Sequence, residues 1–132
     1  MNIPTKEQIA NGYVPWNDDY GMMDGEGYPS IKFLDWISTA IPSTKEEIED
    51  FMGTIQQAWR YDDYHGKLDK LINIRGKEEP GLYFWFATGG WSGNESIANA
   101  MNENFWINTN WYHSWKRGGL YVYGKEKWML DL

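Results

Sequence analysis

The chain has 132 residues, with 12 basic against 19 acidic side chains, no Cys, nine Trp, nine Tyr and five Phe. That length suits one domain with a real core, and the missing Cys exclude a disulfide framework, a thiolate metal site and a Cys nucleophile. The net charge of -7 argues against generic binding to nucleic-acid phosphates, and no apolar run is long enough to cross a membrane.

Thr5 and Gln8 are spaced as the capping box of a short first helix that Asn11 and Gly12 end. Residues 15–29 (PWNDDYGMMDGEGYP) form a loop, long enough to suggest a role or mobility. Ser30 caps a short helix in which Ile31, Leu34 and Ile37 fall at helical spacing, closed before Pro42. The next helix is the clearest element. Ser43 and Glu46 make its box, and Ile48, Phe51, Met52, Ile55, Ala58 and Trp59 form one apolar stripe. Residues 61–67 break the pattern, and the apolar stretch from Leu68 to Ile74 reads either as a last helical turn or as a strand.

Residues 81–88 (GLYFWFAT) read as a strand, with Trp85 in the core beside Trp59. A glycine-rich turn follows, then a helix near 94–103 with Ser92 and Glu95 as its capping box. Residues 105–115 read as a strand aromatic on both faces, and 119–123 as another, joined by a hairpin at Lys116 to Gly119. The order predicts an α+β domain, a helical N-terminal half packed on a small antiparallel sheet.

Charge is unevenly spread. Residues 1–66 carry four basic and twelve acidic side chains, whereas 67–132 carry eight basic and seven acidic. A solvated surface is the ordinary reading of such an acidic block. The sharper one is a negative face, with Asp18, Asp19, Glu46 and Glu47 as its candidates, that docks on a basic protein surface.

The strand–turn–helix unit at 88–95 is the leading candidate site. Glycines let a backbone approach a ligand, and free helix amides attract an anion. Gly89, Gly90, Trp91, Ser92, Asn94 and Glu95 are its residues, and Lys116 and Arg117 on the hairpin could join them. The pattern is neither a Walker loop nor a dinucleotide fingerprint, and a nucleophile elbow would need Gly where Asn94 stands. A tight turn with a helix cap is the plain alternative. Asp62, Asp63 and His65 match no standard metal spacing, so neither metal nor cofactor is expected. A triad of Ser92, His113 and an acid stays open because triads are defined by geometry. No catalytic residue is assigned. The excess of Trp and Tyr suits an interface, since these residues bury large area with few rotors.

FATGGWSGNE from Phe86 to Glu95, then Phe105-Trp106, then Arg117-Gly118-Gly119, resembles a block in small uncharacterised proteins of bacteriophages and prophages. There the pattern runs roughly TGGWSGNE, a short helix, an FW pair and RRGG before an aromatic strand. Lys116 replaces the first Arg of that last pair, and the resemblance covers residues 86–123 alone. It implies a phage accessory protein in the cytoplasm of a bacterial host and carries no transferable chemistry. By association it implies an inhibitor of a host defence protein, anti-CRISPR-like, with a host protein of basic surface as partner and no nucleic acid bound directly. The alternative function is a small domain that holds an anionic ligand such as a nucleotide at the TGGWSGNE loop.

Overall fold

The computed structural model describes residues 3–13, 16, 21–73, 75–116 and 119–130, apart from the side chains of Trp115 and Lys116. Among these, six helices and a four-stranded antiparallel sheet give an α+β architecture. Three helices come first: α1 (Lys6–Ala10), α2 (Ile31–Thr39) and α3 (Lys45–Ala58). A 3-10 turn (Asp62–Tyr64) leads into β1 (His65–Ile72), and β2 (Glu78–Ala87) follows. Then come α4 (Ser92–Glu103), α5 (Phe105–Asn110), β3 (Tyr112–Lys116), β4 (Leu120–Glu126) and α6 (Lys127–Leu130). No helix among the described residues is long and apolar enough to cross a membrane.

The sheet order is β1-β2-β4-β3. Alternation along β2 sends Leu82, Phe84 and Phe86 to the helical side, where they join Phe33, Trp36 and Ile37 of α2. Ile48, Phe51, Met52 and Ile55 of α3, Ile97 and Met101 of α4, and Tyr123 of β4 complete the same core. Fully burying each large apolar side chain contributes about 1.5–3 kcal/mol, so this shared cluster is what fastens the helical half to the sheet. The expected stripe of α3 is therefore core.

The opposite sheet face carries flat aromatics over glycines. A Cβ on Gly66 would stand 2.6 Å from Nε1 of Trp85, and one on Gly124 would stand 2.8 Å from Cδ1 of Tyr83. Each ring lies across the neighbouring strand because that strand offers no side chain. Trp85 is thus half-buried on this outer face rather than in the core.

Local expectations shift in three places. At α3 the cap is Thr44, not Ser43, and the box partner is Glu47, not Glu46. The Glu47 carboxylate accepts from the amides of both Ser43 (3.1 Å) and Thr44 (3.2 Å), which sets the box one residue later. At α4 the cap position is Trp91, which makes no side-chain capping bond, and Ser92 is already helical. The Trp91 amide closes the preceding turn on the Thr88 carbonyl at 3.2 Å, so the helix starts before the expected Ser92 box. Residues 105–115 are not one strand. Asn104 caps α5 by accepting from the Ile107 amide at 2.9 Å. Ile107 and Trp111, four apart, enter the core while Phe105 is 82% exposed. Only Tyr112–Lys116 pairs with β4. The ambiguous segment resolves over Leu68 to Ile72 as part of strand β1, while Ile74 lies outside the described residues.

Of the expected loop 15–29, residues 15 and 17–20 lie outside the described residues, and the rest is anchored at two points. Trp16 is buried against Phe33 and Trp36, and its indole donates to the Gly21 carbonyl at 2.8 Å. Asp24 accepts from the amides of Glu26 and Tyr28, which turns the chain and projects Tyr28.

Candidate functional site

The glycine turn lies at one end of the sheet, just past β2. The Thr88 amide donates to the Gly119 carbonyl at 3.1 Å, and Ala87 pairs with Leu120. The hairpin between β3 and β4 therefore returns to the same end as the glycine turn, a proximity that sequence alone left open. Lys116 ends β3, while its side chain, Arg117 and Gly118 lie outside the described residues.

Gly89 and Gly90 take φ of 62° and 77°, values that favour glycine. Gly89 also lies directly under the Tyr64 ring, which a Cβ would strike. Trp91 folds back so that its ring covers Gly93 at the first turn of α4. Its indole stacks on Tyr28 with centroids 5.7 Å apart and planes inclined by 27°. The Arg60 guanidinium sits 4.9 Å from the Trp91 ring centre and 5.7 Å from that of Tyr61. Tyr61 in turn meets Tyr64 edge-on at 5.3 Å. The result is a continuous surface of Tyr28, Arg60, Tyr61, Tyr64 and Trp91, with Asp62 and Asp63 exposed between the two tyrosines of the 3-10 turn.

Tyr61 is the one residue other than glycine with positive φ among those described, at 74°. Such a conformation costs a non-glycine residue about 1–3 kcal/mol and persists only where neighbours enforce it. Asn94 holds Arg60, the residue just before Tyr61. Fully buried, it accepts from the Arg60 amide at 2.9 Å and donates to the carbonyls of Arg60 (3.0 Å) and Thr88 (3.2 Å). Its amide ties the exit of α3 to the end of β2.

The expected site residues thus divide. Gly89, Gly90 and Trp91 shape the surface. Asn94, expected as a ligand contact, has its side-chain amide engaged inside the protein. Ser92 and Glu95 are exposed on the first turn of α4, where the helix dipole favours the Glu95 carboxylate. An anion seated on this turn would need amides that Trp91 overlies and a side chain, Asn94, already committed.

Of the expected acidic face, Asp18 and Asp19 lie outside the described residues. Glu46 is exposed and Glu47 is held in its capping box at the start of α3. They stand about 20 Å from the aromatic surface, taking the rise of an α-helix along α3. Asp62 and Asp63, weighed from sequence as part of the acidic block and as metal ligands, are the acids that share the aromatic surface. His65 and His113 stand on β1 and β3, the two sheet edges, roughly 14 Å apart by strand spacing, which removes a two-His site. The imidazole of His113 meets Ser114, Glu126 and Tyr83 on the outer sheet face, so no triad forms with Ser92.

Tyr28, Arg60, Tyr61 and Tyr64 were not singled out by sequence reasoning. For Tyr61 and Tyr64 the linear signal is the run Tyr61-Asp62-Asp63-Tyr64 just past the α3 stripe, and Tyr28 comes from a separate segment. Comparison with family models, curated proteins and solved structures finds no significant match to this chain.

Proposed function

We propose that this is a non-enzymatic binding protein of the phage accessory kind, and that it inhibits a host defence protein by occupying a basic surface of it. The binding face is the one built from Tyr28, Arg60, Tyr61, Asp62, Asp63, Tyr64 and Trp91. One observation carries the reading: exposed aromatics and carboxylates are interleaved on a backbone held in strain at Tyr61. Tyr, Trp and Arg dominate interface hot spots, and a rigid surface loses little entropy on binding. Complementary charge from Asp62 and Asp63 would orient a basic partner and speed encounter.

The test is affinity capture from a bacterial host lysate, identification of the captured protein, and its affinity measured against salt. Tyr64→Ala and the pair Asp62→Asn with Asp63→Asn should each weaken binding roughly tenfold or more, the scale of a hot-spot residue. Glu46→Gln should leave it unchanged. The purified partner should lose its own activity when the protein is added. Affinity indifferent to Tyr64 and to both aspartates, or sensitive only to Glu46, overturns this assignment of the face. A partner whose activity survives saturation overturns the inhibitor reading.

A further inference from the structure

At the far end of the sheet from the glycine turn, three strands bring together groups that the binding face does not use. Glu79 is the second residue of β2, Glu126 ends β4 and His113 stands on β3. Eight residues of β2 separate Glu79 from Ala87, about 26 Å of extended chain. Alternation puts Glu79, Gly81 and Tyr83 on the outer face of β2, with Gly124 and Glu126 beside them on β4.

Two glycines make the convergence possible. Tyr83 lies over Gly81 and Gly124, and across Gly124 its ring meets His113 edge-on at 5.5 Å. The pairing of β3 with β4 shifts register between Tyr112 and Ser114, so the irregularity falls on His113 itself. Bulges commonly re-aim a side chain beside a functional site. Nε2 of His113 faces Oε1 of Glu126 at 3.7 Å, and one ligand atom from each of Glu79, His113 and Glu126 lies within 4.8 Å of the others.

The supporting contacts are those that metal ligands use. Nδ1 of His113 is engaged by the Ser114 hydroxyl at 3.1 Å, which leaves Nε2 as the free coordinating nitrogen. Nδ2 of Asn73 donates to Oε1 of Glu79 at 3.0 Å and orients that carboxylate. Neither Glu79 nor Glu126 forms an ion pair with a Lys or Arg among the described residues. Tyr83 donates its hydroxyl to the Glu79 carbonyl at 3.2 Å. With its hydroxyl engaged by the backbone, Tyr83 walls the site rather than supplying a fourth ligand. A groove of about 600 Å³, lined by Glu78, Glu79, Pro80, Glu126, Lys127 and Trp128, opens beside two of the three ligands and provides a way in.

We propose that Glu79, His113 and Glu126 form a site for a divalent transition metal of the zinc class, with a coordination position left open toward the groove. One imidazole and two carboxylates suit zinc better than the all-oxygen shells of magnesium or calcium. Tetrahedral coordination at zinc bond lengths sets neighbouring ligand atoms about 3.3 Å apart. The His113–Glu126 separation of 3.7 Å needs only a few tenths of an ångström to reach that, and the Glu79 oxygen must approach from within 4.8 Å.

The experiment titrates the full chain with Zn2+ by calorimetry, and with Co2+ by visible absorption. Wild-type protein should bind one equivalent, and Zn2+ should raise its melting temperature. His113→Ala and Glu126→Gln should each weaken binding roughly tenfold or more, and Glu79→Gln likewise. His65→Ala should bind as wild type does. Circular dichroism establishes that each variant is folded, and Glu79→Gln decides the matter if Glu126→Gln is not. No binding by the wild type overturns the proposal. So does affinity unaffected by His113→Ala, or an equal response to Mg2+ or Ca2+.

Discussion

Replacing Asn94 by Ala tests whether the proposed binding face is held by a single buried amide. The substitution removes the acceptor for the Arg60 amide and the donors to the Arg60 and Thr88 carbonyls. Each such bond contributes about 1 kcal/mol net, and leaving buried partners unsatisfied adds to the loss, so about 2–4 kcal/mol should disappear. A domain of this size has roughly 5–15 kcal/mol in all. The melting temperature should fall by about 10 °C, on the usual scaling of melting temperature with stability. Urea unfolding followed by Trp fluorescence measures the loss, and an unchanged denaturant slope assigns it to the folded state. Asn94→Asp sharpens the test, because it keeps the acceptor but sets a carboxylate against two carbonyl oxygens. At neutral pH it should be no better than alanine, and it should recover in part as acid protonates the new carboxyl. A loss below about 0.5 kcal/mol for Asn94→Ala, the scale of an ordinary surface substitution, would refute the reasoning.

Other positions give independent checks. Tyr61→Gly relieves the positive φ and should hold or raise stability by about 1 kcal/mol in urea unfolding, while weakening partner capture; Tyr61→Ala should show no such gain. Burial holds the His65 imidazole below its ordinary value of 6.5, with Asp62 opposing in part. The unfolded chain therefore takes up its proton first, and stability should fall as pH drops from about 6.5 toward the lower folded value. Parallel urea titrations of the wild type and His65→Gln should show that portion of the pH dependence missing from the variant. Gly66→Ala drives a methyl into the Trp85 indole and should cost about 1–3 kcal/mol, with a shift in Trp emission as the ring is displaced.

What could be read from sequence was what repeats. The α3 stripe from Ile48 to Trp59 is core, as periodicity requires, and β2 ends where its aromatic run meets the glycine turn. Reading failed where two codes overlapped. Phe105-Trp106 looks like strand composition, yet Asn104 starts a helix there, its amide also donating to the Ile37 and Ala40 carbonyls at 2.7 and 2.8 Å. Those bonds span more than sixty residues and leave no local trace. The proposed binding face was hidden for the same reason. Trp91 was visible in its motif, but Tyr28, Arg60 and Tyr64 reach it from other segments. The strain at Tyr61 has no signature in residue type at all. Glu79, His113 and Glu126 converge only once strand register is known.

If the proposed face binds a partner, the position of Asn94 links stability to recognition. It touches no solvent, so no partner contacts it, yet it holds the turn from which Arg60 and Tyr61 project. A surface already fixed in its binding shape avoids ordering its side chains on association, each worth about 0.5–1.5 kcal/mol. Asn94→Ala should therefore weaken capture of the partner even where the variant is fully folded, through slower association or faster release. Glu46→Gln, about 20 Å away along α3, should do neither. Equal affinity for wild type and folded Asn94→Ala would mean that the face forms only on binding, and that the strain at Tyr61 serves the fold alone.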